Sequence, residues 1–433
     1  MTIANEPQAA DKKVTGQFFR EDSGELLRAS RKGAKLRVEP GLAGSFLAKA
    51  LSRLSETKKF AALAVRLDKE TAGLENGNRP ALFSDFMGHM GRVVDRAGGV
   101  WGLLCPGVFS LVLPGADAAE AEKASRMLRD QAMAAGMGSA TVAAALFPTL
   151  SYGVEEVIAH NSLKALDQAS LAGPGSYAVF DSMTLAISGD RRFQENDLAA
   201  AVSEYRQALA LDPQNANAEN SLAVCLAMSG KNSEAVEAFL RVHEKEPGNV
   251  MPLFNLGLLC AQEGDFQGAL SFFEKALAAA PDEPAAAFQA ARAAQSLGDF
   301  EKAAKLYERS AKAQPEAWQP FRGLGECLFI LKRPGEARKA LEAAVRKNPN
   351  DAVSLSLLAE VFTALDVDTD IALSFARQSV DLDPGQGRHW LRLARLLERS
   401  GDQYEAARAY EKARSLGIMP ETDGAGSGEA ARP

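Results

Sequence analysis

Five prolines, Pro213, Pro247, Pro281, Pro315 and Pro349, follow one another at steps of 34 residues, and five alanines, Ala201, Ala235, Ala269, Ala303 and Ala337, keep the same step. Two residue types locked to one period over this length exclude a single globular core. They require a stack of like supersecondary units, each burying its apolar face on the next. With proline as the closing mark, full units run 216–249, 250–283, 284–317, 318–351, 352–386 and 387–418. A half-unit before them supplies Ala201, Tyr205, Ala208 and Pro213, and an extra residue near Asp366–Asp370 moves the marks of one unit to Ala372 and Pro384.

Within a unit the pattern is that of two helices. The first has apolar residues near positions 4, 7, 8 and 11, as in Leu253, Leu256, Gly257 and Cys260. A small residue at position 8 (Gly257, Ala291, Gly325, Ala359, Ala394) lets helices approach closely, and the in-phase alanine of the second helix does so from the other side. An aromatic or leucine four residues on (Phe239, Phe273, Tyr307, Leu341, Tyr410) fills the gap between neighbours. Proline then ends the second helix, because it lacks an N–H and disfavours helix at the residue before it.

These marks resemble the tetratricopeptide repeat; the stretch LFNLGLLCAQEGDFQGALSFFEKALAAAP (253–281) carries the family pattern almost intact. The resemblance covers 182–418 and implies an all-α superhelical solenoid whose first helices line a concave, peptide-binding groove. Inward positions, by the same resemblance, supply Asn220, Met228, Met251, Phe254, Leu258, Phe288, Arg292, Arg322, Glu326, Phe329, Arg388, Leu391, Arg395 and Arg399. An apolar middle would thus run into an arginine-rich end suited to carboxylates, so the expected ligand is a protein or peptide segment with an acidic portion. The two-carboxylate clamp of chaperone adaptors is absent, since of its positions only Asn255 fits.

Residues 58–181 read differently. A buried strand at 59–67 precedes a helix at 80–96, strands at 100–104 and 108–114, a helix from Ala118 to Ala135, a strand at 141–147, a helix from Glu155 to Leu171 and a strand at 176–180. Strands alternating with helices mean an α+β domain with one central sheet. The stretches WGLLCPGVFSLVLPGADAAEAEKASRMLRD (101–130), TVAAALF (141–147) and SLKALDQASLAGPGSYAVF (162–180) resemble, in this order, the signature hairpin, the "TVSIGVA" strand and the ending of a GGDEF domain, the fold of diguanylate cyclases.

Carried over residue by residue, that resemblance implies lost chemistry. The signature falls on Cys105, Pro106, Gly107, Val108 and Phe109, so the family's acidic pair becomes Gly107 and Val108. The other metal carboxylate falls on Arg66, and only Asp68, two residues later, is acidic. Hard carboxylate oxygens hold Mg²⁺ against a triphosphate; a guanidinium and a valine do not. Pro106 removes an amide donor where the nucleotide would lie. The family's product-inhibition motif reads Arg96-Ala97-Gly98-Gly99, keeping the arginine without the carboxylate. The expectation is a catalytically silent fold.

The remaining properties narrow the class. A net charge of −7 over 433 residues speaks against nucleic acid or anionic membrane as the main partner. The uncharged stretches 97–116 and 131–154 are broken by glycine and proline, as core strands are and spanning helices are not. The N-terminus has no apolar stretch of the secretory kind. Cys105, Cys225, Cys260 and Cys327 lack disulfide or metal spacing and read as reduced thiols of a cytoplasmic, bacterial-type protein. No Walker loop, H-E-x-x-H or G-x-S-x-G occurs, and the four histidines lack ligand spacing, so neither a cofactor nor an enzyme is expected.

The expected organisation is a flexible segment 1–57 in which Phe18-Phe19 and Leu42–Leu54 offer a docking helix, a degenerate GGDEF-like domain 58–181, a repeat solenoid 182–418 and a disordered tail 419–433. The expected function is a non-enzymatic adaptor or scaffold. The alternative is a receptor that binds GTP or cyclic-di-GMP; an active cyclase is opposed by Arg66, Gly107 and Val108.

Overall fold

Turn residues cut the first half of the chain into short apolar runs, and each run becomes a strand. The computed structural model describes residues 40–68 and 79–418; Phe18, Phe19 and the tail 419–433 lie outside the described residues. The chain divides into two compact units at Lys231/Asn232.

In the first unit the order is α1 (Pro40–Leu54), β1 (Phe60–Leu67), α2 (Arg79–Arg96), β2 (Val100–Cys105), β3 (Val108–Pro114), α3 (Ala118–Ala134), β4 (Ala140–Phe147), α4 (Val154–Glu156), a π-helical turn (Val157–Asn161), α5 (Ser162–Leu171) and β5 (Tyr177–Val179). The five strands form one sheet in the order β2-β3-β1-β4-β5. All neighbours are antiparallel except β4 and β5, which run parallel.

Period-2 alternation gives the sheet two faces. One carries Leu63, Val65, Phe109, Leu111 and Val142 and packs on Phe86, Met90 and Val94 of α2 and Leu128 of α3. A row of small residues, Gly102, Ser110, Ala64, Ala143 and Ala178, crosses all five strands in register. Its purpose is visible at the edge, where a Cβ on Gly102 would sit 2.8 Å from the ring of Phe46 on α1. The helix expected over 155–171 is interrupted by the wide turn Val157–Asn161, which turns Val157, Ile158, Ala159 and Asn161 inward together.

Three more helices, α6 (Ser182–Gln194), α7 (Leu198–Leu211) and α8 (Ala216–Met228), belong to the same unit. They are tied to the sheet layer by polar side chains. Lys164 of α5 donates to both carboxylate oxygens of Glu204 on α7, at 2.7 and 2.8 Å. Arg191 of α6 meets Asp167 at 2.5 Å, Thr184 donates to Gln168, and Tyr152 donates to Gln207.

Among its described residues the second unit contains helices only: α9 (Asn232–Lys245), α10 (Met251–Gln262), α11 (Phe266–Ala279), α12 (Pro284–Ser296), α13 (Phe300–Ala313), α14 (Gln319–Ile330), α15 (Pro334–Lys347), α16 (Ala352–Ala364), α17 (Thr369–Leu382), α18 (Gly387–Arg399) and α19 (Gln403–Ser415). The in-phase alanines 235, 269, 303 and 337 are fully buried. At Gly257 a Cβ would lie 2.6 Å from the ring of Phe273, and at Gly325 one would lie 2.5 Å from Leu341. Position 8 is therefore a point of close helix approach, as the repeat pattern predicts. Helices α11, α13, α15 and α17 each end two residues before the marking proline, with an extended residue between, as the ring's clash with a helical predecessor demands. Asp265, Asp299 and Asp402 cap the second helices by accepting from the N–H three residues on.

Candidate functional site

In the second unit each first helix touches the next first helix, along the line α10, α12, α14, α16 and α18. The five form one layer, whose outward side is set by the residues opposite the buried stripe. Counting from the small residue at position 8, positions 2, 6, 9 and 13 of the repeat follow one line down each first helix, with position 6 buried at Asn255, Gly323 and Leu357. In α10 these are Met251, Asn255, Leu258 and Gln262; in α12, Ala285, Gln289, Arg292 and Ser296; in α14, Gln319, Gly323, Glu326 and Ile330; in α16, Val353, Leu357, Glu360 and Ala364. In α18 all four are arginine: Arg388, Arg392, Arg395 and Arg399. Spacings of four, three and four residues keep them on one helix face, while His389, Leu393, Leu396 and Leu397 are buried on the other.

The four arginines are not equivalent. Arg392 donates through Nε to Glu360 of α16 at 2.6 Å and through Nη1 to Ser356 at 3.1 Å. Arg399 reaches Asp366 at 3.0 Å and the carbonyl of Thr363 at 3.2 Å. Arg388 and Arg395 are exposed, and neither forms an ion pair among the described residues. Arg322 of α14 is committed as well: it pairs with the buried Asp351 at 3.3 Å and lies 4.9 Å from the centre of the Trp318 ring. Arg292 stays exposed with Gln289 accepting at 3.4 Å.

The aromatic positions depart from the sequence expectation in part. Phe254 is only 5% exposed, its ring 5.6 Å from Phe273, so it belongs to the core and offers no ligand surface. Phe288 is half-buried with its ring 5.7 Å from Tyr307, and Phe329 is half-buried against the core that includes Leu357 and Leu358. Asn220 lies on α8 in the first unit, half-buried, with its amide oxygen unpartnered. Asn255 is buried. Arg392 and Glu360 escaped the sequence reading, although the 4-3-4 arginine spacing was there to be seen.

In the sheet layer, Arg66, Asp68, Cys105, Val108 and Phe109 are built into the fold, while Arg96, Pro106 and Gly107 are exposed. Arg66 donates to Ser170 at 2.7 Å. Asp68 accepts from Thr141 at 2.5 Å and from the Gly175 N–H at 2.7 Å, so both carboxylate oxygens are taken. Cys105 pairs with Val108 across a two-residue turn in which Pro106 and Gly107 are exposed and Gly107 has φ +78°. Val108 is fully buried, Phe109 lies in the core, and Arg96 is exposed at the end of α2.

Reactive groups are tuned toward inertness. Burial pushes the Cys225 and Cys327 thiols up to about 12, which leaves no thiolate near neutral pH. Cys260 is half-buried rather than buried, and its thiol is raised as well. Among the described residues no group of three or more His, Cys, Asp or Glu is placed to hold a metal ion, and no helix is long and apolar enough to cross a membrane. At the last hairpin, a cleft of about 480 Å³ opens over Trp390, Leu393 and Leu397 of α18 and Ala409 of α19, rimmed by Glu405, Arg408, Glu411 and Lys412.

Comparison with known proteins agrees with the helical half. Residues 229–284 and 288–352 match one tetratricopeptide-repeat family model and 192–250 a second. No curated protein matches the chain. Among solved structures, similarity is found to YrrB, a TPR protein with an unusual peptide-binding site (23% identity, 42% of this chain and 93% of that one, TM-score 0.37). It is found also to MamA from Desulfovibrio magneticus RS-1 (24% identity, 39% and 94%, TM-score 0.36). A third is pilF of Pseudomonas aeruginosa (18% identity, 51% and 97%, TM-score 0.42). The repeats between 192 and 352 are tetratricopeptide repeats.

Proposed function

We propose that this tetratricopeptide-repeat chain is a non-enzymatic adaptor that holds peptide segments of partner proteins on its first-helix layer. Tetratricopeptide repeats generally mediate protein–protein interaction, and the fold gives such a chain a long repeated surface in place of an enclosed pocket. The observation that carries the reading is the gradient along that layer: Met251 and Leu258 at one end, Phe288 and Arg292 next, and four arginines on α18. Such a surface offers apolar anchoring beside carboxylate capture, which supports an acidic portion in the ligand. A random peptide array probed with the full chain is expected to yield hits weakened by Phe288→Ala; an array without hits would sink the reading.

The sheet layer is proposed as a catalytically silent GGDEF-like domain. Its support is the order of strands and helices together with the use of Arg66, Asp68 and Val108 inside the fold. Calorimetry with GTP and with cyclic-di-GMP is expected to give no saturable heat, and Mg²⁺ with GTP no product. A saturable heat would move the domain into the receptor class, and product formation would overturn the reading outright.

A further inference from the structure

The four arginines of α18 are alternately neutralised. Arg392 and Arg399 are bound to acids of the preceding first helix and its loop, Glu360 and Asp366. Arg388 and Arg395 between and beyond them are exposed and have no acid within ion-pair distance among the described residues. A helix that spends two of four arginines on its neighbour and leaves the alternate two in solvent presents a pair of cationic forks at fixed separation. Seven residues at about 1.5 Å each put their Cα atoms about 10.5 Å apart along the α18 axis.

We infer that Arg388 and Arg395 form a two-point carboxylate reader for an extended peptide lying along α18, with acidic side chains three residues apart. A polyproline-like strand rises about 3.1 Å per residue with three residues per turn, so side chains i and i+3 share a face about 9.3 Å apart, a separation that two long arginines span. Each fork accepts one carboxylate through two parallel N–H···O bonds. An α-helical ligand meets the same pair only with acids at i and i+7. The extended chain meets it with acids only three residues apart, on a preformed polyproline-like backbone that loses little entropy on binding. The neutralised arginines contribute too. Their guanidinium groups keep Glu360 and Asp366 from cancelling the field at Arg388 and Arg395, although the chain as a whole is acidic, at −7.

This inference rests on the peptide-binding reading above and adds to it the spacing, conformation and charge of the ligand. The test is fluorescence anisotropy of the full chain with a labelled Asp-Pro-Pro-Asp peptide, which is held extended by its prolines, at physiological ionic strength. Binding is expected to fall about tenfold for Arg388→Gln and for Arg395→Gln singly, from the loss of one charge-assisted pair, and about a hundredfold for both, since the sites are far enough apart to add. Arg408→Gln on α19 should leave it unchanged. The Asn-Pro-Pro-Asn peptide, and a peptide with the two acids adjacent, should bind no better than the double variant. Equal binding by the adjacent-acid peptide, tighter binding by a helical peptide with acids at i and i+7, or tighter binding by a single-stranded oligonucleotide would each overturn the inference. If array hits weaken with Phe288→Ala while Arg388→Gln changes nothing, the reader falls and the peptide-binding reading stands; if no peptide binds at all, both fall.

Discussion

Arg392 on α18 and Glu360 on α16 are joined at 2.6 Å across two first helices. Both side chains are partly shielded, at 23% and 33% exposure, and Ser356 accepts a second bond from the same guanidinium. The pair fixes the arginine-bearing face of α18 against the repeat before it, and takes one positive charge out of a row of four.

Removing that acid should therefore separate stability from binding. Glu360→Gln is expected to lower the stability of the second unit by about 0.5–1 kcal/mol in urea unfolding. The same change should strengthen binding of an acidic peptide, because Arg392 joins the free pair. A variant that loses stability and affinity together would show that Glu360 positions the site and does not merely screen it.

Gly257 packs closely against the Phe273 ring of the second helix of its repeat. Gly257→Ala places a methyl group 2.6 Å from the Phe273 ring, against neighbours with nowhere to move, and should cost about 1–3 kcal/mol. The helix propensity of alanine offsets about 1 kcal/mol of this. Phe273→Leu in the same chain should recover part of the loss, which chemical denaturation of the single and double variants reads directly.

His389 gives the second unit a pH dependence. It is 2% exposed, and neither ring nitrogen has a hydrogen-bond partner. Burial, and then the charge of Arg392, hold its pKa below the usual 6.5 against the opposing pull of Asp383 and Asp351. The unfolded chain thus takes up the proton first as pH falls. The stability from neutral His389 is whole above about 6.5 and is lost as pH drops from there toward the folded-state value. Urea midpoints at pH 7.5 and 5.5 should differ more for the parent chain than for His389→Phe.

The sheet layer and the first helical hairpin should unfold as one. Lys164→Ala leaves Glu204, 12% exposed, without its cation, and is expected to cost about 1–2 kcal/mol in the first unit. A chain ended at Asp181 should be markedly less stable than one ended at Lys231, as read by the cooperativity and midpoint of thermal unfolding. Equal midpoints would mean that α6 to α8 contribute nothing to the sheet.

Periodicity made the helical half readable to within a residue or two. Proline and alanine phases report local events, a helix end and a close approach, and local events are written in local sequence. The strands were legible for the same reason, since Phe60–Leu67 and Ala140–Phe147 are apolar runs between turn residues. The order β2-β3-β1-β4-β5 was not, because pairing β1 between β3 and β4 depends on contacts far apart in the chain. The site shows the same division. Arg388, Arg395 and Arg399 were expected on one face from the resemblance to the repeat family. Phe254 was expected on that face and is buried, its ring 5.6 Å from the Phe273 ring of the following helix. Arg392 was missed because its partner Glu360 is a whole repeat away.

The contacts of α5 give the repeat array a direction. By bonding to both α6 and α7, through Asp167, Gln168 and Lys164, α5 occupies the face on which an earlier hairpin would rest. Beyond α19 no such stopper stands among the described residues. A hairpin placed before Ser182 would have to displace α5 and break the bonds that Asp167, Gln168 and Lys164 make to α6 and α7.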